Sequence, residues 1–119
     1  MDIIAFRNFC LKLKGTSEGF PFDNKTLVFK VGGKMFALTD VDSFVSINLK
    51  ANPEKSIVLR ETFNAVNPGF HMNKKHWNTI QLESSELHKN LVKELIDHSY
   101  DLVVAKLPKK RKKDLTSLK

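Results

Sequence analysis

The chain has 119 residues, 41% of them hydrophobic and 28% charged, with one cysteine and a formal net charge of +7. That length supports one domain with an ordinary core and leaves no room for a second, and the composition excludes a wholly disordered chain. Cys10 alone cannot close an internal disulfide, no apolar run approaches the roughly 20 residues of a membrane helix, and MDIIAFRNFC lacks the pattern of a secretory leader, so the reading is a soluble cytoplasmic protein.

In chain order, Asp2 is placed to cap a helix whose apolar positions Ile3, Phe6, Phe9, Cys10 and Leu13 share one face, and Gly15 ends it. Two β-rich runs, residues 26–31 and 34–39, flank Gly32-Gly33, a pair that accepts positive φ and suits a two-residue hairpin. Pairing Val31 with Lys34 then sets Phe29 opposite Phe36 and Leu27 opposite Leu38 on a core face, leaving Val28, Lys30, Met35 and Ala37 behind. A third strand is expected over residues 43–49, with Val45, Ile47 and Leu49 alternating against Phe44, Ser46 and Asn48.

Asn52-Pro53-Glu54 reads as cap, first helical position and first-turn acid of a short helix reaching Phe63, with Ile57 and Val58 inward. Asn67-Pro68-Gly69 suits a type II turn, because proline fixes the first corner and glycine supplies positive φ at the second. Residues 77–82 alternate as a strand. The closing helix runs from a Ser84 or Ser85 cap to Ala105, with Leu87, Leu91, Leu95 and Leu102 as its apolar stripe. Pro108 stops it, which leaves residues 107–119 as a basic flexible tail behind a domain of residues 1–106. The sum is a two-layer α+β fold: an antiparallel sheet against N- and C-terminal helices, with a short helix inserted after the third main strand.

Charge is unevenly spread. Residues 1–105 carry 13 basic and 12 acidic side chains, so most of the excess sits in Lys106, Lys109, Lys110, Arg111, Lys112, Lys113 and Lys119. The tail alone is therefore expected to attract polyanions without sequence preference. In the body the notable stretch is GFHMNKKHWNTI, which gathers His71, Asn73, Lys74, Lys75, His76 and the single tryptophan, Trp77. If Ile80 and Leu82 face the core, the period of two turns Trp77 outward beside that loop. Lysines neutralise phosphates, and an aromatic face stacks on bases, so the pattern suits nucleic acid, with Lys30 and Lys34 of the hairpin extending the surface. The competing reading makes Trp77 an edge plug of the core and Lys74 and Lys75 a solvated loop.

Enzyme and metal signatures are weak. The histidines lack zinc-ligand spacing, no serine lies in a G-x-S-x-G turn, and Cys10 falls on the inward face of the first helix. The expectation is a protein without catalytic residues, metal or cofactor, whose rival reading is an adaptor for a protein or small ligand. Nothing in the sequence demands more than a monomer.

PF at 21–22, VFKVGGKMFA at 28–37, PGFHMNKKHWNT at 68–79, LIDHSYDLV at 95–103 and LPKK at 107–110 resemble the MmcQ/YjbR family over nearly the whole chain. Phe70 stands where that family often has tyrosine, and Asp23 where glycine is frequent. The resemblance implies a CyaY-like fold and binding to duplex DNA, with the hairpin (Lys30, Lys34) and the loop (His71 to Trp77) as two wings. The iron-binding frataxin-like proteins of that fold have an acidic first helix, whereas residues 1–14 here set Asp2 against Arg7, Lys12 and Lys14.

Overall fold

The computed structural model describes residues 1–70 and 72–118. In chain order it contains α1 (Ile3–Lys12), β1 (Thr16–Gly19), β2 (Thr26–Val31), β3 (Lys34–Asp40), β4 (Ser46–Lys50), α2 (Pro53–Thr62), β5 (Val66–Pro68), β6 (Trp77–Gln81), α3 (Lys89–Ala105) and α4 (Lys109–Thr116). The strands form one antiparallel sheet in the order β1-β2-β3-β4-β6-β5. Helices α1, α2 and α3 cover one face, which makes the fold two-layer α+β as expected. Phe6 and Cys10 of α1 and Leu95, Ile96 and Val103 of α3 bury against Phe29, Phe36, Ile47, Leu49 and Ile80 of the sheet.

The hairpin pairs Val31 with Lys34 as the sequence predicts, but a β-bulge then shifts the register. Phe36 is the extra residue, so Phe29 faces Ala37, Val28 faces Leu38, and Leu38 passes to the far side of the sheet. Ser99 of α3 donates to the carbonyl of bulged Phe36 and accepts from the Lys50 amide at 2.8 Å. A buried hydroxyl, fully enclosed, thereby pins α3 across β3 and β4.

Four local expectations are corrected. The third strand begins at Ser46 because Phe44 adopts φ 41°, turning its ring onto Phe6 at 5.6 Å and leaving Val45 exposed. Helix α2 buries Ser56 and Leu59, while Ile57 and Val58 face solvent, since the buried Asn78 amide donates to Ser56 Oγ at 2.9 Å and turns that side of the helix inward. Asn67-Pro68-Gly69 is the end of β5 and its exit, with no positive φ at Gly69. Glycine is needed there for space: a Cβ would lie 2.8 Å from Trp77 Cβ. Helix α3 starts at Lys89 under a His88 cap, because Glu86 is used instead to accept the Asn64 and Ala65 amides at 3.1 and 3.0 Å.

Beyond Ala105 the described residues continue into a further helix rather than a flexible tail. Leu107 is buried beneath Gly32, residues 109–116 are helical, and Leu115 packs against the core. Among the described residues, no helix is long and apolar enough to cross a membrane.

Candidate functional site

The β2-β3 turn is built on two left-handed glycines, Gly32 at φ 58° and Gly33 at φ 80°, the pattern of a tight hairpin whose twist matches its strands. Arg111 Nη1 of α4 donates to Gly32 O at 3.4 Å, and Leu107 fills the space a Gly32 side chain would take. The basic segment is thus docked against the hairpin turn. Of its bases, Lys109, Lys110, Arg111 and Lys113 are exposed and Lys112 is half-buried.

Arg60 staples the second wing to the body of the fold. Arg60 of α2 donates through Nε to Asn78 Oδ1 at 2.7 Å and through Nη2 to the carbonyls of Trp77, at 3.1 Å, and Lys74. Asn73 serves the turn itself, its Oδ1 accepting the Lys75 amide at 3.0 Å and its carbonyl the Trp77 amide at 2.9 Å. Lys74 Nζ folds back on Gly69 O at 3.2 Å. Lys75 is exposed and His76 half-buried. His71, expected on this wing from the sequence, lies outside the described residues.

Trp77 corrects the outward expectation. Alternation does place it opposite Ile80, yet the ring is 5% exposed, enclosed by Val28, Leu38, Met35 and Met72 in a second, smaller core. A period of two assigns a face and says nothing about whether that face is open. Here the bulge sends Leu38 there and the loop brings Met72 over the top. The indole instead supports a cation: Lys50, its cross-strand partner, holds Nζ 5.5 Å above the ring.

Lys50 is the centre of the charge the structure assembles. Partial burial, then Lys106 and Lys34, lower its pKa; partial burial, then Lys106, Lys50 and Lys75, lower that of His76. The hairpin, β4, the 70–76 loop and the end of α3 therefore converge their positive groups. Among the described residues the ion pairs are Arg7–Glu18 and Lys25–Asp42, and neither touches this cluster. Lys30 lies apart, lining a hollow with Ser17, Glu18 and Phe20 toward β1. Lys50 and Lys106 are site residues that the sequence does not single out. The available signal is the strand-end position of Lys50, which antiparallel pairing sets opposite Trp77.

Elsewhere, Cys10 is enclosed in the core and burial pushes its thiol up, which disfavours a reactive thiolate. His98 Nε2 accepts the Asn52 amide at 3.3 Å, and the Tyr100 hydroxyl donates to Lys14 O, so both serve packing. Among the described residues, no three His, Cys, Asp or Glu side chains converge as a metal-binding group.

Comparison with known proteins places this arrangement in a family. The YjbR family model matches residues 11–102. The uncharacterized protein YbdF of Escherichia coli O157:H7 is 36% identical over 108 residues, covering 90% of this chain and 88% of the relative. YjbR of Escherichia coli K12 is 32% identical over 99% of this chain and 100% of its own. The crystal structure of Deinococcus radiodurans DR2400 superposes with a TM-score of 0.90 at 38% identity, covering 97% of this chain and 88% of that one. A Pseudomonas syringae crystal structure gives 0.73 at 27% identity, over 87% and 99%. With the match running from α1 into α3 and these relatives spanning nearly full length, the chain belongs to the YjbR family.

Proposed function

We propose that this protein is a non-enzymatic DNA-binding protein that seats the sugar–phosphate backbone on the cationic end of its sheet. One observation carries the reading: Lys50 lies within electrostatic reach of Lys34 and Lys106, and His76 of Lys106, Lys50 and Lys75, and none of these groups is in an ion pair among the described residues. Mutual repulsion there is relieved by an anion, and several cations on one surface match a ligand with repeated phosphates. Helix α4 adds Lys109, Lys110, Arg111, Lys112 and Lys113 beside the hairpin turn. Trp77 contributes by supporting Lys50 and keeping the loop in place, so base stacking is no part of its role.

Fluorescence anisotropy with a labelled duplex tests this. Between about 50 and 200 mM salt, about five neutralised phosphates give a slope near −4.5 in log affinity against log salt. Replacing Lys34, Lys50 and Lys75 together by alanine is expected to make the slope shallower by about 0.9 for every phosphate left without its lysine. Because Leu107 and Leu115 pack into the fold, the contribution of α4 is tested by Lys109→Glu with Lys110→Glu rather than by truncation. If only the α4 variant weakens binding, the affinity belongs to that helix and the sheet-end reading fails.

A further inference from the structure

The far face of the sheet carries more than the buried indole. Next to the cationic end lies an open groove of about 820 Å³ crossing β3, β4 and β6, with Phe22 and Phe70 in its lining. These two residues are 64% and 70% exposed. The polar side chains of Ser46, Asn48, Thr79 and Gln81 line the groove beside the apolar Leu38 and Met72. Thr79 Oγ1 donates to Asn48 Oδ1 and accepts the Phe70 amide at 3.0 Å. The Asn48 amino group and the Gln81 side-chain amide make no hydrogen bond to another described residue, which leaves paired donor and acceptor capacity facing the groove.

Groove and cation cluster are continuous. Asn48 and Lys50 are two residues apart on β4, hence on the same face and about 6.6 Å from each other along the strand. Electrostatics orders the two ends. Asp40 lines the groove with its carboxylate already accepting the Asp42 and Ser43 amides, so phosphate is favoured at the Lys50 end and disfavoured here. A neutral, flat group with hydrogen-bonding edges suits the groove, and in a duplex such groups are stacked and paired away from reach.

We infer that the groove receives unpaired nucleobases of a DNA strand whose phosphates lie on the Lys34, Lys50, Lys75 and Lys106 cluster, making single-stranded DNA the preferred form. Phe22 and Phe70 supply the stacking surface, and Asn48 and Gln81 supply contacts to base edges. This deepens the backbone reading above and rests on it.

The test compares a labelled oligothymidylate with an abasic strand of equal length and charge, each titrated by anisotropy against the full chain and against Phe22→Ala with Phe70→Ala. Both side chains are exposed, and retained far-UV circular dichroism and melting temperature establish that the variant folds. The expected result is oligothymidylate binding about tenfold tighter than the abasic strand, with the double variant removing that gap and leaving abasic affinity and salt slope unchanged. Equal affinities for the two strands in the parent protein overturn the inference while the backbone reading stands. A base preference that survives the double variant also overturns it, because the bases then sit elsewhere. Absence of salt-dependent binding to either strand overturns both readings.

Discussion

The two faces of the sheet are built by different means. On the helix-covered face, Phe6, Phe29, Phe36 and Ile96 form one continuous core from residues far apart in sequence, with Phe6 edge-on to Phe29 at 5.5 Å and Phe36 edge-on to Tyr100 at 5.4 Å. The opposite face lacks a covering helix among the described residues. Its enclosed part is a small cluster around Trp77, closed by Met35 and a loop that Arg60 staples down. The first face holds the larger core. The second places charge and a groove over a minimal foundation, which is where a surface with a ligand to hold can be remodelled at least cost to the fold.

The largest expected effects ask whether the second face is truly core. Phe36→Ala is expected to cost about 3–5 kcal/mol in urea unfolding, the usual range for deleting a buried aromatic. Trp77→Ala is expected to approach the lower part of that range, about 3 kcal/mol, despite lying on the helix-free side. A loss under about 1 kcal/mol would mean the indole is effectively a surface group. Next comes Gly69→Ala. The added methyl meets Trp77 Cβ at 2.8 Å and its backbone at 3.0 Å, so one chain or the other must move. Overpacking of this kind costs about 1–3 kcal/mol, and a red shift of the single tryptophan's fluorescence is the accompanying sign.

The same contrast explains what the sequence makes legible. Helix α1 and the Gly-Gly turn read correctly, because the helix buries its amphipathic face and the glycines supply the positive φ the turn needs. Of the expected α3 stripe, Leu95 is buried, beside Val92, Ile96, Ser99 and Val103, with Leu91 and Leu102 half-buried and Leu87 ahead of the helix. The misreadings cluster where a tertiary contact overrides local pattern. Ile57 and Val58 give way to Ser56 because buried Asn78 needs a polar partner, and Leu38 changes face because Phe36 bulges. Strand β1, TSEG, has no apolar alternation and exists because β2 offers it an edge. In the candidate site, Lys34, Lys75 and His76 are visible in the sequence as charges in a hairpin and a loop. The convergence of Lys50 and Lys106 on them is not, since it depends on which strands neighbour each other.

A smaller effect probes the cationic end through pH. With partial burial and then Lys106, Lys50 and Lys75 disfavouring its charged form, His76 titrates below its ordinary value of 6.5 in the free protein. Phosphate beside it favours the imidazolium and raises that pKa, so binding takes up a proton. Affinity for DNA is therefore expected to rise as pH falls toward the lowered pKa of the free imidazole, by no more than about tenfold per pH unit, the limit for one proton. The His76→Gln variant should flatten this profile. A profile unchanged by that substitution would remove His76 from the contact surface.

The smallest expected effect separates the pattern of α2 from its packing. Ile57 is 56% exposed although periodicity assigns it inward, while Leu59 is 8% exposed. Ile57→Ser is accordingly expected to change unfolding free energy by no more than about 0.5 kcal/mol, as for most surface positions. Leu59→Ala should cost about 2 kcal/mol or more, because it opens a cavity in the large core. The pair is informative through its ratio. Equal losses would show that α2 is rotated toward the apolar stripe, which would pull Ser56 from Asn78 and Arg60 from the Lys74 and Trp77 carbonyls. The loop carrying Lys75 and His76 depends on those bonds, so a substitution on the solvent side of α2 reports on the geometry of the cationic end.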